Sequence, residues 1–411
     1  MFFTPTSFIL YFLFQEFESE KFFGITVTCK MESPKRRKIC KVNDKNPKLS
    51  TMTIESLPNE IFMNIFSHLN IKDLFKCGKV NKKFRQISND KSFWKCVNLY
   101  NQRVSGHFVA QILELGTEYL NLQEVSILED GDAVIPRKNN LKYLNLAFSS
   151  VEDKFLVKLL RSSVSLEKIS LRDINPKHIK FCNLKQSEDY RLAVNLRRSW
   201  YIECLLPNAK LLTTLDLSNS GGKMYTINTE SMEEILLNCV ELKEANFTGQ
   251  ITDVEFFANN LTAKIEKLNI SWNHGFNDKH IVPLVKRCKN ITELDLNGCD
   301  LDSDRFHINP ENPKENQKCL IAISENLSQN LVKLQLPDHS LLYHEFIMSL
   351  PKLRYLWTIP HANDTNMMKR FPHVFFNEGT AKIAHCANEY FEPEQGFWEV
   401  KCPVVDLSKT Q

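Results

Sequence analysis

The sequence predicts an α/β protein in which a short all-helical unit precedes a long solenoid of repeated strands and helices. Two observations lead to this fold class. Between residues 53 and 98, apolar residues recur at helical spacing in three or four short segments. From residue 99 to about residue 360, the triplet Leu-x-x-Leu-x-Leu returns every 19 to 46 residues, and helical patterns follow its copies.

Length and composition limit the function classes. The chain has 411 residues, enough for two domains with a large core, and a net charge of +3. That charge gives no indication of nucleic-acid or membrane binding. The twelve cysteines are scattered without a C-x-x-C pair, so they predict neither a zinc site nor a disulfide framework. We interpret Cys239 and Cys288, among others, as reduced core thiols.

Residues 1–52 differ from the rest in composition. The apolar run from Phe8 to Phe14 is too short to cross a membrane, and no Lys or Arg precedes it. We therefore expect Met31 to be the working start, residues 1–30 to be a translated upstream piece, and residues 31–52 to be disordered. A weak signal peptide is the lesser alternative. The basic run from Lys35 to Lys38 fits a nuclear localisation signal or a solvated tail equally well.

Residues 53–98 are the predicted helical unit. Pro58 suits the first turn of a helix, Asn70 is predicted to cap a second helix, and Gly78 to end it in the left-handed conformation. One apolar helix face is formed by Leu57, Ile61, Ile65, Phe66 and Leu69. So small a unit rarely buries enough apolar surface to stand alone, so we expect its apolar faces to bind a partner.

These helices resemble an F-box, the motif that binds the Skp adaptor of cullin-RING ubiquitin ligases. The residues that match are Leu57-Pro58, Glu60-Ile61, Ile65, Leu69, Asp73-Leu74, Val80, Ser88, Asp90, Ser92 and Trp94. The sequence departs from the motif at Asn81, where a Cys is usual, and at Phe84, where a Trp is usual. The resemblance implies adaptor contacts by Leu57, Pro58, Ile61, Ile65, Phe66, Leu69, Leu74, Val80, Phe84 and Trp94. An ordinary helical bundle inside a larger core is the alternative interpretation.

Residues 99–360 hold the repeated triplet. Its copies are Leu122/Val125/Ile127, Leu141/Leu144/Leu146, Leu166/Ile169/Leu171, Leu212/Leu215/Leu217, Leu242/Ala245/Phe247, Ile265/Leu268/Ile270, Ile291/Leu294/Leu296, Leu331/Leu334/Leu336 and a broken copy at Leu353/Leu356. A degenerate copy at Asp189, Leu192 and Val194 would divide the longest gap evenly, and the segment from Asp302 to Glu315 reads as an inserted loop. A strand and a helix in each copy predict a leucine-rich-repeat α/β horseshoe. Residues 361–411 are then a C-terminal cap and tail.

The residues beside the inward leucines are expected to face outward from the sheet, because side chains alternate along a strand. One such column is Asn145, Ser170, Asp216, Asn246, Asn269, Asp295, Gln335 and Trp357, and a second is Tyr143, Lys168, Thr214, Glu244, Lys267, Glu293, Lys333 and Tyr355. Most of these are expected to be solvated. Exposed aromatic residues are better candidates for contacts. We predict substrate binding by Asn269, Trp272, Asp295, Gln335, Tyr355, Trp357 and Trp398.

The sequence shows no motif for catalysis by itself. It has no G-x-S-x-G, phosphate loop or H-E-x-x-H, and its histidines have no ligand spacing. We therefore expect a non-enzymatic protein with neither cofactor nor metal.

The whole layout is similar to the F-box leucine-rich-repeat family. This resemblance implies a substrate-recognition subunit of an SCF-type ubiquitin ligase, working with a Skp adaptor and a cullin scaffold in the nucleus and cytoplasm. It also implies a phosphorylated cell-cycle substrate for proteasomal degradation, and a small cyclin-dependent-kinase-subunit accessory protein. Two alternatives stay open: a scaffold without a ligase role, and a secreted repeat protein with sequons at Asn246, Asn260, Asn269, Asn290, Asn326 and Asn363.

Overall fold

The computed structural model describes residues 57–128, 133–177, 202–218, 227–301, 318–337, 344–357 and 369–376. The chain divides into two compact units, residues 1–93 and residues 94–411. The predicted N-terminal extension, the inserted loop from Asp302 to Glu315, and Trp398 all lie outside the described residues. In the described part of the chain, no helix is both long and apolar enough to cross a membrane.

The first unit contains short helices with the caps that the sequence predicts, apart from one. Its helices are Asn59–Ser67 (α1), Ile71–Cys77 (α2) and Lys82–Ser88 (α3), and Lys91–Trp94 (α4) follows them. The N–H of Asp73 donates to the Asn70 side chain over 3.0 Å, which confirms the cap of α2. The prediction for Gly78 was wrong: its φ of −62° is right-handed.

The second unit is built on a parallel sheet of very short strands. Eleven strands form it in the order β1-β3-β5-β7-β9-β10-β11-β12-β13-β14-β15 among the described residues. They are Cys96–Asn98 (β1), Tyr119–Asn121 (β3), Tyr143–Asn145 (β5), Lys168–Ser170 (β7), Thr214–Asp216 (β9), Glu244–Asn246 (β10), Lys267–Asn269 (β11), Glu293–Asp295 (β12), Lys333–Gln335 (β13), Tyr355–Trp357 (β14) and Phe375–Phe376 (β15). The predicted α/β class with a parallel sheet is confirmed.

Helices and a second, smaller sheet complete this unit. The helices are Gly106–Glu114 (α5), Asp153–Ser162 (α6), Thr229–Asn238 (α7), Val254–Asn260 (α8), Asp278–Arg287 (α9), Lys318–Leu327 (α10) and His344–Met348 (α11), and Leu206–Leu211 is a 3₁₀ helix. The smaller sheet is also parallel and consists of Arg103–Ser105 (β2), Ser126–Leu128 (β4), Ser150–Glu152 (β6) and Asn175–Lys177 (β8).

The register of the large sheet aligns the repeats residue by residue. Leu268 lies opposite Ala245 on one side and Leu294 on the other, so the middle residues of these strands share one buried row. The same register joins β12 directly to β13, as expected if the long gap between them holds an inserted loop. It also joins β7 directly to β9. The predicted extra copy at Asp189, Leu192 and Val194 lies outside the described residues.

The two ends of the array differ from the prediction. The first predicted triplet is out of register, because its strand is Tyr119–Asn121 and Val125 lies beyond it, before β4. An earlier strand, Cys96–Asn98, pairs with that one. At the other end, Phe375–Phe376 pairs with Tyr355–Trp357, past the predicted limit near residue 360. Neither end copy begins with leucine: the triplet of β1 begins with Trp94, and the register of β15 places His373 at its first position.

Buried polar side chains bind the backbone at the turn behind each strand. The Ser149 hydroxyl donates to the Leu122 carbonyl. The Asn273 amide donates to the carbonyls of Phe247 and Ile270 over 2.9 and 2.8 Å. The Cys299 thiol, 3.4 Å from the Ile270 carbonyl, occupies the equivalent place one repeat later. These contacts satisfy carbonyl groups that would otherwise be buried without a donor.

Candidate functional site

Three phenylalanine rings form the core of the first unit. The ring centroids of Phe62 and Phe84 are 4.9 Å apart, and Phe66 lies 5.5 Å from Phe84 and 6.0 Å from Phe62 in edge-on contacts. All three rings and Leu74 are almost fully buried. Edge-on and tilted arrangements are the favourable ones for aromatic pairs, so this cluster holds α1 against α3.

This core corrects part of the predicted adaptor contacts. Phe66, Leu74 and Phe84 were predicted to bind the adaptor, but their side chains are buried inside the unit and leave no surface to a partner. Phe62 was missed, although it lies four residues before Phe66 on the same helix face. Trp94 is also buried, and it belongs to the second unit, where it begins the first triplet.

The remaining predicted contacts form an apolar surface along α1. Ile61 and Ile65 are spaced four residues apart on α1, so they lie in one row, and Leu57 lies just before the start of the helix. The side chain of Ile61 is 46% exposed, and Leu57 and Ile65 are half-buried. Pro58 at the start of α1 is exposed, and so is Val80 before α3, whereas Leu69 is half-buried. We call Leu57, Pro58, Ile61 and Ile65 the apolar stripe.

Lys83 fixes the start of this stripe. Its ammonium group donates to the carbonyl of Leu57 over 2.6 Å and lies 5.0 Å from the centre of the Phe62 ring. These contacts tie α3 to the residue that precedes α1. The stripe is therefore presented by a fixed backbone segment rather than by a free chain end.

In the second unit, the structure overturns the prediction for Asn269 and Asp295. Both side chains are buried, and so are Asn145, Asp216 and Asn246 in the same column. The carboxylate of Asp295 accepts the N–H of Asn297 over 3.0 Å, and Asn269 accepts the N–H of Ser271 over 2.9 Å. Each side chain thus closes a turn in its own backbone at the end of its strand, so neither offers a free polar group to a substrate.

Burial changes the acidity of the two carboxylates in this column. Burial raises the pKa of Asp295 to about 7, although hydrogen bonds from Asn297 and Asn269 oppose the change. Burial also raises the pKa of Asp216, opposed there by the charge of Arg172 and by donors on Ser218 and Ser170.

Two of the six sequons, at Asn246 and Asn269, lie at buried side chains, which makes these sites unsuitable for glycans.

The second column forms a ladder of opposite charges. The Lys267 ammonium lies 3.2 Å from Glu244 and 3.8 Å from Glu293, and Lys333 lies 3.2 Å from Glu293. Lys333 then lies 5.6 Å from the centre of the Tyr355 ring. Tyr143, expected to face outward in this column, is buried instead. The charges of the ladder largely neutralise one another, so this surface has no strong preference for an ionic ligand.

A left-handed residue follows each of several strands at the same place. Asn101, Glu124, Phe148, Asp173 and Trp272 all have positive φ, three residues after the end of their strand, as do Gly249 and Gly298. Six of these N–H groups, all except that of Gly298, continue the parallel hydrogen-bond ladder, and that of Trp272 donates to the Asn297 carbonyl over 2.7 Å. The fold therefore imposes this conformation, which costs a bulky residue about 1–2 kcal/mol.

Trp272 keeps that unfavourable conformation while its side chain is 53% exposed. A Cβ at Gly298 would lie 2.9 Å from two indole carbons, so the glycine gives the indole its place on the next repeat. Tyr355 and Trp357 are also exposed, as predicted, whereas Gln335 is half-buried. Substrate contact by these residues stays a prediction.

The described part of the chain contains no group of His, Cys, Asp and Glu side chains that could hold a metal ion. Cys239 and Cys288 are buried, as predicted for core thiols. Burial raises the pKa of Cys239 to about 12 and also raises that of Cys288, so both thiols stay protonated and unreactive near neutral pH.

Comparisons with known proteins agree with the first unit. Residues 54–100 match the F-box-like family. The chain is 39% identical over 72 residues to the ubiquitin ligase complex F-box protein UFO1 of Saccharomyces cerevisiae, a match that covers 17% of this chain and 10% of that protein. It is 40% identical over 52 residues to F-box/LRR-repeat protein 5 of Xenopus tropicalis, covering 13% of this chain and 8% of that protein.

These matches span at most a tenth of the length of the relatives. Among solved structures, the chain is similar to one in the octameric complex of Latrophilin 3, Unc5D and FLRT2, with 12% identity and a TM-score of 0.27 over 69% of this chain and 82% of that chain. The sequence match and the helical unit lead to the same conclusion: the chain carries an F-box-like domain at residues 54–100.

Proposed function

We propose that this chain is a substrate-recognition subunit of an SCF-type ubiquitin ligase, with the Skp adaptor bound at the apolar stripe. One observation carries the proposal: the unit completes its core with Phe62, Phe66 and Phe84, yet still exposes an apolar row at Ile61. A fixed apolar row with no use in its own unit suits a partner's groove. UFO1, a protein of ubiquitin ligase complexes by its name, supports the same assignment.

The second unit would then hold the substrate. We propose that its parallel strands and helices form a leucine-rich-repeat horseshoe, and that Trp272, Tyr355 and Trp357 contact a protein substrate, with Gln335 and Trp398 as further candidates. The chain itself does no chemistry in this proposal, because a cullin scaffold brings the ubiquitin-conjugating enzyme. Substrate degradation by the proteasome follows, and we place the protein in the nucleus and cytoplasm.

A finer assignment rests on resemblance. The run Asn269-Ile270-Ser271-Trp272, the later Asp278-Lys279-His280, and the pair Lys401-Cys402 shortly after Trp398 look like S-phase kinase-associated protein 2. The resemblance would make the substrate a phosphorylated cell-cycle regulator, read together with a small cyclin-dependent-kinase-subunit accessory protein. The neutral charge ladder of the second unit supplies no phosphate site of its own, which would suit recognition through such an accessory protein.

The experiment is capture of purified Skp adaptor by full-length Ile61→Asp. A charge placed in an apolar contact should reduce capture at least tenfold while the urea midpoint of unfolding stays near the wild-type value, because Ile61 does not belong to the core. The control is Leu237→Asp, since Leu237 is an exposed helical residue of the other unit. Wild-type capture by Ile61→Asp would contradict the assignment of the stripe.

A further inference from the structure

The F-box-like unit carries an excess of positive charge that the second unit does not share. Its residues 57–93 contain seven lysines and arginines against three carboxylates, a net charge of +4. Residues 31–56 add the same excess, with seven basic and three acidic side chains. Residues 94–411 have 36 basic and 40 acidic side chains, a net charge of −4. The overall value of +3 therefore conceals two regions of opposite sign.

Two of the three carboxylates of the described unit bind neighbouring groups, whereas Glu60 is exposed in the first turn of α1, next to Ile61. Asp73 pairs with Lys76 over 3.1 Å and also accepts from the Asn70 amide. Asp90 accepts from both the N–H and the hydroxyl of Ser92. The basic side chains of Lys72, Lys79 and Lys82 are exposed to solvent. They give the unit a positive potential that these carboxylates do not cancel.

This basic excess lies close to the apolar stripe. Lys83 touches the first residue of the stripe through the Leu57 carbonyl. Lys79 and Lys82 flank the exposed Val80, and Lys72 follows three residues after Leu69 at the far end of α1. In so small a unit, all of these charges act within one or two screening lengths of the stripe, about 8 Å each at physiological salt.

We propose that the protein face that binds the apolar stripe is acidic at its rim, and that the lysines around the stripe accelerate its docking. This rests on the proposed function and adds the chemistry of the partner. Complementary charge raises association rates from about 10⁵–10⁶ to as much as 10⁸–10⁹ M⁻¹s⁻¹ at low salt. Charges at the rim act on the association rate, whereas the buried apolar contacts govern dissociation.

The test measures association and dissociation rates of the full chain with purified Skp adaptor between 50 and 500 mM NaCl. The variant Lys72→Glu/Lys79→Glu/Lys82→Glu should lower the association rate at 50 mM salt about tenfold and leave the dissociation rate within about twofold. Raising the salt should slow the wild type much more than this variant. The control is Lys158→Glu/Lys210→Glu/Lys286→Glu, three exposed lysines of the second unit, expected within about twofold of wild type.

The outcomes separate this inference from the proposed function. If the adaptor binds and Ile61→Asp abolishes binding, but the association rate is independent of salt, the function stands and the acidic rim is refuted. If the adaptor does not bind the wild type at any salt concentration, both fail. A duplex DNA retention assay tests whether the basic surface binds nucleic acid instead. DNA binding that the lysine variant loses, with its adaptor association rate unchanged, would assign the basic surface to nucleic acid and overturn the inference.

Discussion

Replacement of Asp295 by asparagine is expected to stabilise the second unit at alkaline pH. The Asp295 side chain is 2% exposed and accepts the backbone N–H of Asn297, a hydrogen bond that an asparagine oxygen accepts equally well. Asn246 and Asn269 already serve that role in the two preceding strands. The substitution therefore keeps the turn and removes only the ionisable group.

The magnitude follows from the pKa of Asp295, which burial raises to about 7 from about 3.9 in an unfolded chain. The folded state then holds a proton that the unfolded state releases, so stability falls as pH rises through this window and stays low above pH 7. Each pKa unit corresponds to about 1.4 kcal/mol. Between pH 5.5 and pH 8.5, the free energy of unfolding of the wild type should fall by about 2 kcal/mol more than that of Asp295→Asn.

Urea unfolding of both proteins at pH 5.5 and pH 8.5 measures this difference, and other titrating groups cancel between them. The control is Asp216→Asn, in the same column as Asp295. Arg172 and two serines surround the Asp216 carboxylate and stabilise its charge, so this substitution should raise the free energy of unfolding by less. Buried thiols such as Cys239 stay protonated over this range. An identical pH dependence for wild type and Asp295→Asn would refute the account of Asp295 as a buried, destabilising carboxylate.

Two further substitutions test the core and the strained turn. Phe62→Ala should lower the free energy of unfolding by about 3–5 kcal/mol, because Phe62 is 1% exposed and packs on two other rings. Urea titration measures this loss. The control is Phe75→Ala, which should lower the free energy of unfolding clearly less because Phe75 is only half-buried. Gly298→Ala should cost about 1 kcal/mol or more and alter tryptophan emission, since φ is +71° and the new methyl group would displace the Trp272 indole; unchanged emission would contradict that contact.

The repeat was predictable because its signal is redundant. Each full copy from Leu141 onward has a strand of three residues, and the apolar residues before, within and after that strand are buried. One drifted copy does not obscure such a series. Spacing alone is ambiguous for the longest gap, because an interval of two repeat lengths suits an extra repeat and a long insertion equally well. In the sheet, Ser170 pairs directly with Asp216 across this gap.

The candidate sites were harder to predict, for two physical reasons. Helix α1 is apolar on two sides, so spacing could not tell which of Ile61 and Phe62 faces the core. At Asn269 and Asp295, alternation along the strand predicted outward side chains. Short amide and carboxylate side chains can instead bend back to a backbone N–H two residues on, and here they do. Long aromatic side chains have no such option, and the prediction of exposure succeeded at Tyr355 and Trp357.

The positions with positive φ, three residues after the strands, can hold different residue types without any change in the strands. At six of these positions, among them Gly249 and Trp272, a hydrogen bond from the N–H group to the neighbouring repeat fixes the backbone, whatever side chain is attached. Glycine at Gly249 and tryptophan at Trp272 occupy equivalent places, so these positions already tolerate the smallest and the largest residue. Evolution or an engineer can therefore vary specificity there at a cost of about 1–2 kcal/mol per position, without redesigning the scaffold.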